Sequence, residues 1–466
     1  MTDEQYTPLP EIVLSAAETR LSDDHIAQIR EALEEDNAPE ALRLLEDFHA
    51  SDTATLFGLI ESDERLQLVQ VLFADFDAEI LTYLDDEIRS EIIGYLGKDK
   101  TAEALGELET DDAVQIIEDL AEDEKQELLE AVSEETRAEI EEGLAYPEDS
   151  AGRLMNTRFA AVPEFWTVGD VIDYLRDYEN REELPDDFYA IMVVDPRYHP
   201  VGAVMTSRVM QYQREAPIRN LMREELHAIP AAMDREEAAN LFRRYGLVET
   251  PVVNAEGRMV GVLTLDDIIH VIAEEEEEDY LRAGGVFDRD LHAGLFATVR
   301  RRLPWLIMNL MTANFAAFVI SQFEGVIEKW VTLVVLMPMI ASMAGNAGTQ
   351  SVTVAVRAIA TRELQSQNAW PVIRKEMLTN LCNGIVLSAL MATVIMVIYK
   401  DWHLASIFAT ATIAVLTVAG LSGSLIPLML HRYKIDPAIA SGVFLTMLTD
   451  VLSFFCFLGL AAWVVL

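Results

Sequence analysis

The stretch "VLMPMIASMAGNAGTQS" (335–351) begins as an apolar run of the kind that fills a bilayer, then acquires a proline, two glycines and two amides at mid-depth. A helix in lipid must satisfy its own backbone polar groups, so a break is tolerated only against protein or a water-filled path. Gly345 and Gly348, with Pro338 upstream, are therefore expected to loosen this span and turn carbonyls, those of Ala344 and Gly345 among them, toward such a path. Asn346 and Gln350 would add side-chain oxygens. For the glycines alone, close helix packing by small residues is the plain alternative.

Outward from this stretch, residues 303–323, 330–358, 377–399, 404–430 and 437–466 are each long and apolar enough to cross a hydrocarbon layer of roughly 30 Å. Arg300, Arg301 and Arg302 precede the first span. Arg357, Arg362, Arg374 and Lys375 separate the second from the third, and Arg432 and Lys434 the fourth from the fifth. The positive-inside rule then puts the N-terminus in the cytosol and the C-terminus outside a multi-pass cell membrane.

Asp450 lies near the middle of the fifth span, in "FLTMLTDVLSFF", with no basic residue in that segment. An Asp at a helix centre costs about 2.5–3.5 kcal/mol on insertion scales, and such groups usually mark ion paths. Asp450 is read as the cation site, against the alternative of a protonated carboxyl hydrogen-bonded inside a bundle. Asp436 precedes Pro437 at the start of the same span, where N-cap duty explains it as well as a place at the pore mouth does. No His or Cys cluster lines the spans, so the donors suit a hard, hydrated cation. By residue type Mg²⁺, Ca²⁺, Mn²⁺ and Co²⁺ all qualify.

Charge is unevenly divided. Residues 300–466 hold seven acids against eleven Lys and Arg, which leaves 72 acids and 24 bases in residues 1–299, a net of −48. That half should repel nucleic acid and attract cations; a high-salt habitat is the bland alternative. The two cysteines, Cys382 and Cys456, lie in apolar runs and suggest neither a disulfide nor a metal site. "MTDEQYTPLPEI" has no secretory signal, so the N-terminal half is expected in the cytosol. There is no phosphate-binding loop and no convincing nucleophile–base pair, which argues against a pump or an enzyme.

Residues 1–37 are read as an N-terminal extension. Residues 38–145 read as an all-α superhelix of short helices whose starts are marked by "ESDER" (61–65), "LDDEI" (84–88), "ETDDA" (109–113) and "SEETR" (133–137). Residues 146–265 hold two β-rich stretches, "FYAIMVVDPRYHPVGAVM" (188–205) and "VETPVVNAEGRMVGVLT" (248–264), each preceded by a helical segment, which is one α/β unit used twice. Residues 266–302 form an acidic connecting helix and linker, ended as a helix by Gly284 and Gly285. Within it Glu274 to Asp279 are six acids in succession, and like charges three or four apart destabilise a helix by about 0.2–0.5 kcal/mol per pair. A divalent cation shared with another acidic surface would relieve that repulsion; a simply solvated linker is the alternative.

The duplicated unit resembles the CBS module. The whole order (acidic helical domain, "YPEDSAGRLM" at 146–155, CBS pair, acidic helix and five spans carrying "GNAGTQS") is similar to the MgtE-type magnesium transporters. The resemblance implies a homodimeric, passive, Mg²⁺-selective channel-like transporter, closed by cytosolic Mg²⁺ that is sensed at positions matching Asp267, Glu275, Glu278 and Asp279. Transport or exchange of another divalent metal, and a non-conducting magnesium sensor, are the alternatives. Two departures stand out: Ala344-Gly345-Asn346 where the family reads Gly-Gly-Asn, and His270 where an acid is expected. The resemblance also implies adenine-nucleotide (ATP) binding at Thr264 and Asp267 of a Gly-x-x-Thr-x-x-Asp ending. The first unit has Gly202, Met205 and Arg208 there, and Asp267 cannot freely serve both ribose and cation.

Overall fold

The computed structural model describes residues 21–466 except 47, 178–183, 186–187, 224, 287–293, 362, 365–368, 436 and 466, with the side chains at 283, 438–441 and 465 also left aside. The chain divides into two units, Met1–Ile272 and Ala273–Leu466.

Among the described residues of the first unit, eight α-helices build the N-terminal part: Asp23–Glu34, Ala38–Leu45, Ala50–Leu59, Ser62–Leu72, Asp86–Glu107, Thr110–Glu118, Glu122–Leu129 and Glu134–Leu144. The four cap-and-acid signals all fall at helix starts. Glu61 and Glu64 form a reciprocal capping box, and the Ser133 hydroxyl accepts from the Thr136 N–H, each satisfying donors that a helix start leaves open. Gly97, at φ 74°, kinks the long fifth helix. One core runs through all of it, with Leu56, Phe57, Leu68, Ile92, Leu105, Ile116 and Ile117 fully buried. Ile29 and Leu33 belong to that core, so the stretch expected as an extension contributes a packed helix, Asp23–Glu34.

The duplicated unit is visible strand for strand. Strands β1 (Ala161–Pro163), β2 (Ala190–Val194) and β3 (Pro200–Met205) form one sheet; β4 (Ile229–Pro230), β5 (Glu249–Val253) and β6 (Met259–Thr264) form the other. In both, the first pair is parallel and the second antiparallel, with a bulge at Val193/Val194 and again at Val252/Val253. Helices Val168–Arg176 and Arg235–Tyr245 make the parallel crossovers. Met192 and Val194 of one sheet pack with Met259 and Val262 of the other. The helical part meets this pair through Glu109, which accepts from the Asn156 amide at 2.6 Å, through Thr110–Thr157 at 2.8 Å, and through the Arg158–Glu139 ion pair at 3.1 Å.

The acidic helix, Leu265–Ala283, leaves β6 directly and stops where expected. Gly285, at φ 75°, makes the turn; a Cβ there would fall 1.9 Å from the Trp305 indole nitrogen.

Among the described residues of the second unit, five helices are long and apolar enough to cross a membrane: Leu295–Ser321, Thr332–Ala360, Ala369–Tyr399, Trp402–Arg432 and Pro437–Val465. The fourth packs on the second, third and fifth, while the first packs chiefly on the fifth. Small residues permit the closest approaches. A Cβ on Gly423 would lie 2.7 Å from the Gly348 carbonyl oxygen, and one on Gly420 would lie 2.4 Å from the Asn380 side-chain nitrogen. Between the second and third spans, Asn380 donates to the Ser351 hydroxyl at 3.0 Å, which donates to Glu376 at 2.9 Å.

The expected break is absent. The second span is helical without interruption from Thr332 to Ala360, through Pro338 and both glycines. Gly348 is a packing residue: a Cβ on it would come within 2.9 Å of Leu445 on the fifth span. Opening the helix would strand backbone donors and acceptors at several kcal/mol each, whereas glycine contact keeps them bonded. Gly423→Ala is accordingly expected to destabilise the second unit by about 1–3 kcal/mol, because its new methyl meets backbone. Thermal unfolding of the reconstituted variant checks this.

Candidate cation sites

The uninterrupted second span has two faces. Ala344, Ala347, Gly348 and Ser351 are buried in the bundle, while Ser342, Asn346, Thr349, Gln350 and Thr353 are exposed along one helical stripe. Gly345 stands beside that stripe with open space at its Cβ position. Ala344 does not join it. Its side chain is fully buried against the core, and in a continuous helix its carbonyl stays bonded within the helix, so the expected carbonyl lining is not formed. The amides of Asn346 and Gln350 make no hydrogen bond among the described residues.

Asp450 is half-buried on the fifth span and has no hydrogen-bond or ion-pair partner among the described residues. The second and fifth spans pack together, with Leu445 against Gly348. They run in opposite directions, so five residues past Leu445 at 1.5 Å per residue put Asp450 level with Met343, about one turn from Asn346. Asp436 lies outside the described residues.

A second acidic locus forms in the first unit. Asp267, on the first turn of the acidic helix, accepts from the Thr264 hydroxyl and is hydrogen-bonded to Asp111 of the helical part. Asp111 is only 8% exposed, and its Oδ1 has no hydrogen-bond partner. Burial, and then the negative charge of Asp267, hold the Asp111 carboxyl well above the usual range and raise Asp112 to about 7. Burial raises Asp267 as well, with neighbouring Asp266 adding to it. Glu109 completes the group on the Asn156 side. Among the described residues no three such side chains form a ready metal cage. At the junction the carboxyls of Asp111 and Asp267 meet face to face, with Arg158 the nearby counter-charge on the Glu109 side, an arrangement able to share protons or to accept a cation.

The other expected sensing residues stand elsewhere on the same helix. Glu275 lies eight residues from Asp267, about 12 Å along. Glu275, Glu278 and Asp279 are partly buried, and Glu278 pairs with Arg282. His270 takes an aromatic role instead: its ring stands 6.1 Å from that of Tyr83, which stands 6.0 Å from His49. Thr264 and Asp267, the expected ribose ligands, are engaged with each other and with Asp111, while Arg208 of the first unit donates to the Leu221 carbonyl at 2.9 Å.

Glu109, Asp111 and Asp112 were legible in "ETDDA" only as a helix start. A helix start needs one acceptor and gains from one or two acids; three acids beside a Thr that is itself buried exceed that need.

Residues 337–460 match the family described as divalent cation transporter, MgtE, residues 48–149 the MgtE intracellular N domain, and residues 218–274 the CBS domain. The chain is 33% identical over 317 residues to the magnesium transporter MgtE of Bacillus subtilis, covering 68% of this chain and 70% of that one. It is 32% identical over 328 residues to the magnesium transporter MgtE of Thermus thermophilus, covering 69% and 71%. The solved cytosolic domain of the Mg²⁺ channel MgtE in complex with ATP is also similar, at 29% identity and TM-score 0.49, over 53% of this chain and 99% of that one.

Proposed function

Since the chain belongs to the MgtE family of magnesium transporters, we propose that it passes Mg²⁺ passively across the cell membrane beside Asp450, and that cytosolic Mg²⁺ closes the path. The observation that carries the conduction reading is the polar stripe Asn346–Thr349–Gln350 on a helix that must sit in a bilayer, exposed and unbonded at a depth within about one turn of that of an unpartnered carboxylate. Such groups cannot face hydrocarbon. They face water, and a second copy of the chain related by a twofold axis would enclose that water between two identical stripes. Mg²⁺ dehydrates reluctantly, so one carboxylate per chain would hold it through its hydration shell, with the amides accepting from bound water. The basic flanks support an N-terminus in the cytosol and a C-terminus outside.

The closing signal is read from the Asp111–Asp267 junction and from the acids at 274–279. When cytosolic Mg²⁺ is abundant, ions held between carboxylates keep the helical part, the CBS pair and the acidic helix together. When it is scarce, repulsion parts them. Several weak sites together supply the roughly 1–3 kcal/mol typical of coupling between distant sites. Replacing Glu274–Asp279 by their amides is expected to leave flux insensitive to cytosolic Mg²⁺, measured by Mg²⁺-dye uptake into vesicles with the internal side clamped; inhibition that persists unchanged would remove this half of the reading.

ATP at the second CBS unit is the lesser part of the proposal, since its ribose carboxylate is shared with Asp111. Transport of another divalent metal would appear as equal or greater flux of Mn²⁺ or Co²⁺ in the same vesicles.

A further inference from the structure

The third span, Ala369–Tyr399, carries a shallow, open groove on its own surface near the N-terminal end, lined by Trp370, Arg374, Lys375, Leu378, Thr379 and Asn383 among others. We propose that this groove is a binding site for an anionic phospholipid, its phosphate held by Arg374 and Lys375.

The lining is graded along the helix. Trp370, 69% exposed, stands at the end, where indoles settle at the membrane–water interface. Arg374 and Lys375 follow one turn in. Both are exposed and neither has an acidic partner among the described residues. Thr379 and Asn383 come about 7 Å and 13 Å beyond Arg374 at 1.5 Å per residue, both exposed. Two unbonded cations at headgroup level, with hydroxyl and amide donors at the depth where glycerol esters begin, match a phospholipid from phosphate to ester. Leu378 gives the upper acyl chain an apolar wall. A bare phosphate would leave the deeper donors in hydrocarbon without partners.

A second copy of the chain fits less well. The residues flanking the spans on this side are chiefly basic (Arg300, Arg301, Arg302, Arg357, Arg432 and Lys434), so another copy's edge would bring like charge against Arg374 and Lys375. No lining residue is acidic. The proposal rests on the five spans and not on transport, and its readouts do not involve flux.

The test uses the full chain purified from membranes containing both phosphatidylglycerol and phosphatidylcholine, with retained lipid counted by native mass spectrometry. Wild type should keep phosphatidylglycerol selectively, and millimolar inorganic phosphate should not displace it. Arg374→Gln with Lys375→Gln should lower retention about tenfold, and Arg374→Lys with Lys375→Arg should preserve most of it. Cys382 lines the same groove, so in a Cys456→Ala background its labelling by a neutral maleimide should slow in vesicles containing phosphatidylglycerol relative to phosphatidylcholine alone. That second measurement needs no charge variant to fold. Equal retention by the double Gln variant, displacement by phosphate, or equal labelling in the two vesicle types would each overturn the site.

Discussion

Asp450→Asn is expected to reduce Mg²⁺ uptake at least thirtyfold while the protein still inserts and folds. The substitution keeps the shape and removes the charge. In a conduit, the carboxylate is what offsets the dehydration of the cation, and deleting one partner of such a charge pair costs about 2–5 kcal/mol, which is thirtyfold or more at 1.4 kcal/mol per decade. Asp450→Glu should retain more flux than Asn, since the charge survives on a longer arm. A different outcome follows if the carboxyl were a neutral member of the bundle: Asn would replace it with little loss, because its amide can donate and accept in the same place. The structure already disfavours that role, for Asp450 has no hydrogen-bond partner among the described residues. Growth of a Mg²⁺-requiring bacterial strain carrying wild type, Asn or Glu at 450 reads the three cases. Rescue by Asn equal to wild type would end the assignment of Asp450 as the cation site. A non-conducting sensor would likewise show no uptake to lose.

Legibility in the sequence followed the range of the interactions concerned. The spans rest on composition summed over some twenty residues, and the duplicated unit on alternation within each strand, so both were readable locally. The helix starts were too, since a cap is decided within four residues. "GNAGTQS" was not, because glycine in a helix reads alike whether it unwinds or packs. What decided was Leu445 and Gly423, some 75 to 100 residues away, both within contact of Gly348. Ala344 fell on the packed face for the same reason, which no local pattern distinguishes from the polar stripe two residues on. Asp111 was hidden differently: a buried acid and a solvated one look identical until the surface that buries it, here the turn carrying Asp267, is in place. The helix Asp23–Glu34 joined the core through Ile29, Ala32 and Leu33, with Ile26 packed beside them, a short apolar stripe in an otherwise polar helix.

Asp111→Asn together with Asp267→Asn is expected to abolish the response of the first unit to Mg²⁺ and to hold the path closed at low cytosolic Mg²⁺ levels that open wild type. The unpartnered Oδ1 of Asp111 and the contact of its carboxyl with that of Asp267 make this junction unfavourable when both carboxyls are ionised. Because folding raises these acids above their unfolded values, with Asp112 at about 7, the docked form binds more protons than the separated form. Its stability is therefore full at low pH and falls as pH climbs from about 4 to about 7. Mg²⁺ binds the ionised carboxylates and so competes with those protons, releasing them on binding. In wild type without Mg²⁺, proteolysis at the helical part's junction with the CBS pair should speed up between pH 5 and 8. Saturating Mg²⁺ should flatten that profile, and its protective effect should grow with pH. The double Asn variant, uncharged at these two positions, should be protected whether or not Mg²⁺ is present, with a weaker pH dependence left by Asp112 and Glu109. If wild type shows no pH dependence and no Mg²⁺ protection at all, the junction is ordinary packing, and sensing must be sought at Glu275, Glu278 and Asp279 alone.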